Sequence, residues 1–156
     1  MRFQDHIVGR TQRALDDVIR AARAIPTERL DWSPGGAARS TLAQMLEIAQ
    51  TGERFLPLIV GDARGFEGHA AREESANNGT EDLSALVSQA RKGVAELCQA
   101  IVAIPDPSLD KEITLPFGGG MVMTLADALA LPSWNMTYHL GQINLIGLML
   151  GDRQMH

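Results

Sequence analysis

The stretch from Thr124 to Leu150 constrains this chain most, because it is apolar enough for a long helix yet carries polar groups in its middle. At about 1.5 Å per residue such a helix would be roughly 40 Å long. Thr124-Leu125-Ala126-Asp127 has the form of a helix cap, and Gly151 supplies a stop. Inside the stretch, Asn135 and His139 are four residues apart and share a face, with Gln142 and Ile143 one turn further on. Ile146, Leu150 and Met149 are expected to continue that side as core. Polar groups that share a face with core must be hydrogen-bonded inside the protein or gathered around a ligand or metal. Pro132 lacks a backbone donor and is expected to kink the helix just ahead of the cluster, freeing a carbonyl near Ala128.

Three more helices can be read ahead of it. From about Phe3 to Ile25, apolar Ile7, Ala14, Leu15, Val18, Ala21, Ala22 and Ile25 recur at helical spacing opposite Arg and Asp residues. His6 on this helix reads as solvated or at the edge of the core. Pro26 and Asp31-Trp32-Ser33-Pro34-Gly35-Gly36 then make a loop. A second helix is expected from Thr41 to about Val60, with Thr41 as cap and Gln44 reaching back in a capping box. Its buried stripe is read as Leu42, Met45, Leu46, Ala49, Leu56 and Ile59, with Glu47 at the margin, where a carboxylate is usually solvated. Residues 61–80, including His69, form a long polar connection. In a bundle such a crossover lets two neighbouring helices run parallel. The third helix opens with Thr80 as cap and Glu81 and Asp82 in its first turn. Leu83, Leu86, Val87, Ala90, Val94, Leu97 and Ile101 give it a near-heptad seam, beside which Cys98 reads as a packing residue. Between this helix and the last, the run from Ile113 to Met123 looks like a short hairpin around Gly118-Gly119-Gly120. Those glycines lack the Lys-Ser/Thr of a phosphate loop, so they read as a turn.

The whole chain bounds the function classes. Its 156 residues suit one domain over 1–156, and apolar and charged shares of 45% and 21% suit a folded globular chain. A net charge of −5 with no basic run offers no footprint for phosphate contacts, so a nucleic-acid partner is not expected. Asp127, Pro132, Asn135, His139 and Gln142 interrupt the most apolar region, and no membrane span is expected. A single cysteine and an N-terminus without an apolar run point to the cytoplasm.

The order of parts, with Tyr138-His139-Leu140-Gly141-Gln142-Ile143 and the closing Leu150-Gly151-Asp152, resembles the DinB-like superfamily of metal-binding four-helix bundles. The resemblance implies an all-α four-helix bundle with a long crossover between helices 2 and 3 and a short β-hairpin-like segment before the last helix. It implies a three-histidine site for a divalent metal in the cleft between the second and last helices. By position, the ligands fall on Glu47, Asn135 and His139. A carboxylate, an amide and one imidazole make a harder and weaker set than three histidines. Two readings stay open. In one, these residues hold zinc, nickel or manganese and activate a water or a thiol cosubstrate, as in thiol-dependent transferases and isomerases of this superfamily. In the other, Glu47 accepts a hydrogen bond from His139 with no metal, and the chain is a non-catalytic bundle binding a small molecule or protein partner. Under both, a homodimer is expected, with Trp134, Tyr138 and Met149 available for the contact; the catalytic residues are unknown.

Overall fold

The computed structural model describes residues 1–61, 82–115, 119–154 and 156. Most of the expected crossover, with His69, Thr80 and Glu81, lies outside the described residues, as does Gly118 of the glycine turn. Within them the chain forms α1 (Phe3–Ala24), α2 (Thr41–Ala49), α3 (Thr51–Val60), α4 (Leu83–Ala103), β1 (Glu112–Thr114), β2 (Val122–Thr124) and α5 (Leu125–Met149). Single 3-10 turns sit at Thr27–Arg29 and Asp106–Ser108. The fold is the expected all-α four-helix bundle, with α2 and α3 together making its second arm. The strands pair antiparallel, Ile113 opposite Met123, and form the expected hairpin before the last helix.

Helix directions follow from which residues meet. A Cβ on Gly147 would lie 3.6 Å from Ile25 Cδ1, on the side where one buried cluster joins Ala14–Ile25 residues to Met136, Ile143 and Ile146. A second cluster joins Ile7 to Leu125 and Leu129, so α1 and α5 run parallel. Likewise Met45, Ile48 and Ala49 share the first cluster with Leu86, Val87 and Ala90, while Phe55 and Leu58 share the second with Leu97 and Ile101. The α2–α3 arm and α4 are therefore parallel too, the arrangement that a long connection permits. At their crossing, Gly52 and Gly93 meet backbone to backbone: a Cβ on Gly52 would lie 2.5 Å from the Gly93 Cα.

Five local expectations are corrected. The second helix breaks at Gln50 (φ −86°, ψ 0°), two residues ahead of the Gly52 contact. The break rotates the following turn, so Phe55 and Leu58 are buried in place of Leu56 and Ile59. Its cap is Ser40, whose hydroxyl accepts from the Ala43 amide at 3.2 Å, whereas Thr41 is already helical and fully buried. The third helix is capped by Asp82, which accepts from the Ala85 amide at 2.8 Å. Met149 is 54% exposed, because Ile146 and Gly147 take the inward positions of that turn. On α2, Ile48 is buried and Leu42 and Leu46 are half-buried, so the inward stripe is shifted from the expected one. Thr124 caps α5 as expected by accepting from the Asp127 amide, and α5 continues as one element through the buried Pro132. Gly151 (φ +96°) ends it, and the Asp152 amide turns back to the Gly147 carbonyl. Cys98 is buried, and that burial pushes its thiol up, as suits a packing residue. His6 is exposed.

Candidate functional site

The arm formed by α2 and α3 runs antiparallel to α5, so α2 faces the middle of the long helix. Because Ser40 rather than Thr41 caps α2, Gln44 is not held in a capping box. It points across to α5 and is almost fully buried. Its Nε2 donates to the Arg39 carbonyl at 3.2 Å, which fixes the amide so that Oε1 faces His139 Nδ1 at 3.3 Å. Nδ1 is then the donor in that contact. The other imidazole nitrogen, Nε2, approaches Glu47 Oε1 at 3.2 Å, within ion-pair distance but off the direction of a hydrogen bond. The pair attracts when Nε2 also carries a hydrogen. His139 itself is 1% exposed, with the ring of Tyr138 edge-on at 5.5 Å between centroids.

Glu47 is the hub and is not solvated as its position suggested: its side chain is only 18% exposed. Arg39 donates to Oε2 at 2.5 Å and Arg54 to Oε1 at 2.9 Å. Burial works against ionising this carboxyl, but the contacts from His139 and Arg39 outweigh it and hold it well below the usual carboxylate range. Asn135 is one turn before His139 on α5, half-buried, and its Nδ2 is buried with no hydrogen-bond partner among the described residues.

Two hollows flank the hub. One, of about 290 Å³, opens beside Arg39, Gln44, Tyr138 and Gln142. The other, of about 160 Å³, is lined by Arg54, Phe55, Leu131, Trp134 and Asn135. The structure thus brings Glu47 and His139 together and sets Asn135 beside Arg54. Sequence reasoning missed Gln44, Arg39 and Arg54. The spacing held a signal, since Gln44 and Arg54 are three residues before and seven after Glu47 and so share its helical face.

These residues do not suit a divalent ion. Both oxygens of Glu47 are taken by guanidinium groups, so an ion there would displace one or sit against two positive charges. That repulsion is on the order of several kcal/mol at ordinary protein dielectrics. Asn135 contributes a weak amide donor. Among the described residues no group of three or more His, Cys, Asp or Glu could hold a metal. Apart from the imidazole, the hub carries one carboxylate and two guanidinium groups, the balance of an anion-attracting site.

A four-helix bundle of this topology with a polar hub between its second arm and its last helix defines a class of protein. The chain belongs to the DinB superfamily, whose family model matches residues 10–143. Among solved structures it is similar to YfiT from Bacillus subtilis, described as a probable metal-dependent hydrolase with an unusual four-helix bundle topology. That match has a TM-score of 0.77 at 14% identity and covers 95% of this chain and 87% of the other. The DinB-like protein YjoA from Bacillus subtilis matches with a TM-score of 0.70 at 18% identity, covering 97% and 95%. A mutant of mycothiol-dependent maleylpyruvate isomerase matches with a TM-score of 0.69 at 14% identity, over 92% of this chain and 63% of that one. At these identities the likeness shows the fold alone. No curated protein matches the sequence. No helix among the described residues is long and apolar enough to cross a membrane.

Proposed function

We propose that this chain is a DinB-family bundle that binds a small organic anion in the cleft between α2 and α5 without a metal, and that Glu47, Asn135 and His139 serve that cleft rather than ligate zinc, nickel or manganese. The observation that carries the reading is the pair of guanidinium groups on Glu47, standing where a divalent cation would need the carboxylate free. Arg39 is nearly half exposed beside the larger hollow and can offer further N–H groups to a ligand carboxylate. On the other side Trp134, Phe55 and Leu131 offer an apolar wall, and the Asn135 amide offers a donor. A compact, flat anion with an apolar body suits both sides.

Elemental analysis of protein purified without an affinity tag tests the metal half. Substoichiometric metal in the wild type supports the proposal; about one metal per chain, lost in both Glu47→Ala and His139→Ala, overturns it. Ligand-observed NMR with benzoate as probe tests the other half, with binding expected in the wild type and lost in Arg39→Ala. The description of one structural neighbour as a thiol-dependent isomerase supports adding a turnover screen with several thiols and electrophiles. A binding module gives none.

A further inference from the structure

A helix in a bundle normally presents charged residues to water on the side away from the core. The last helix does not. From Ala128 to Gly151 it carries no Asp, Glu, Lys or Arg, although the chain has a net charge of −5. Its inner face, including Met136, Ile143 and Ile146, fills the core, while Trp134, Tyr138, Leu145, Leu148 and Met149 are 54% to 63% exposed on the outside. Trp134, Tyr138, Gly141, Leu145 and Leu148 follow one another at steps of four, three, four and three residues, a second apolar seam opposite the first. Among the described residues no atom lies within 4 Å of where a Gly141 Cβ would be. The Trp134 and Tyr138 rings are already ordered against each other, stacked at 5.8 Å and 18°.

We propose that this seam is the interface of a symmetric homodimer in which the α5 helices of two copies cross antiparallel at Gly141. The spacing is nearly self-complementary about that glycine. A two-fold axis there brings Trp134 opposite Leu148 of the second copy and Tyr138 opposite the turn that carries Leu145, as an isologous contact requires. The missing side chain at the centre lets the two backbones approach. The exposed seam side chains offer roughly 600 Å² per copy, about 1,200 Å² for the pair, the lower edge of a standard stable interface. A lipid surface is the poorer occupant, because interfacial helices flank their apolar face with Lys and Arg, and here there are none. Trp134 and Tyr138 also line the two hollows, so the second copy would wall the mouths of both. The dimer stands independently of what the cleft binds.

Light scattering after size exclusion should give twice the 16.9 kDa chain mass for the wild type and the single-chain mass for Leu145→Glu/Leu148→Glu, with matching circular dichroism. A wild type that stays monomeric at about 100 µM, far above the Kd that stable interfaces reach, overturns the proposal. A dimer that survives the double substitution does the same. Mild oxidation of Gly141→Cys tests the crossing directly, since the native Cys98 is buried and does not compete. Most of that variant should become a disulfide-linked dimer, while Gln99→Cys, exposed on α4, stays single. A dimeric wild type whose Gly141→Cys form fails to cross-link places the interface elsewhere and overturns this one.

Discussion

His139 is sealed from solvent between two partners on α2, the side-chain amide oxygen Oε1 of Gln44 and the Glu47 carboxylate. Replacing it by alanine leaves those polar groups facing a void, which costs about 1–3 kcal/mol when a buried hydrogen-bonding group loses its partner. For a chain of this size His139→Ala should therefore melt several degrees below the wild type, at about 2–4 °C per kcal/mol. An unchanged melting temperature would show that the partners find water instead. Glu47 carries a pH dependence of definite sign. Unfolded, it titrates near its ordinary 4.5; folded, it titrates lower, so its stabilising contribution is complete above that value and drains away as pH falls below it. Glu47→Gln should thus be less stable than the wild type at neutral pH, and the gap in urea midpoints should narrow progressively as the pH falls below about 4.5. A gap that stays constant would mean that ionisation of Glu47 is not what stabilises the hub.

At the scale of the element, the start of α2 decides where Gln44 points. A helix can be capped by either of two adjacent hydroxyl residues, and the sequence Ser40-Thr41 offers both. The structure caps on Ser40 and sends Thr41 into the core, where its hydroxyl is buried with no hydrogen-bond partner among the described residues. Ser40→Ala should cost about 1 kcal/mol of stability. Thr41→Val, of the same shape and without an unsatisfied hydroxyl, should be neutral or stabilising. Chemical denaturation of the two variants separates the assignments, since a cap at Thr41 reverses the order. The break at Gln50 acts at this scale too: it turns α3 so that Phe55 and Leu58 face inward while Arg54 remains able to reach back to Glu47.

For the whole molecule, the parallel neighbours matter most. The α2–α3 arm packs on α4 closely enough at Gly52 and Gly93 that a methyl group on Gly52 would overlap backbone, while one on Gly93 would meet Gly52 at 3.3 Å. Backbone cannot rotate away as a side chain can, so Gly52→Ala should destabilise by at least the 1–3 kcal/mol typical of overpacking, and by more than Gly93→Ala. Equal, small effects in urea unfolding would mean that the arms separate readily. Much of this architecture was legible in the amino-acid order. Apolar periodicity marked the helices, Thr124 and Gly151 marked the ends of the last one, and the spacing of Asn135 and His139 located half of the polar hub. These are local properties, written within one or two turns of chain. The break at Gln50, the choice of Ser40 over Thr41, and the Arg39 and Arg54 contacts to Glu47 were decided only in the folded chain. They depend on which backbone meets which across the bundle, and on how far a buried carboxylate must reach for positive charge once water has been excluded.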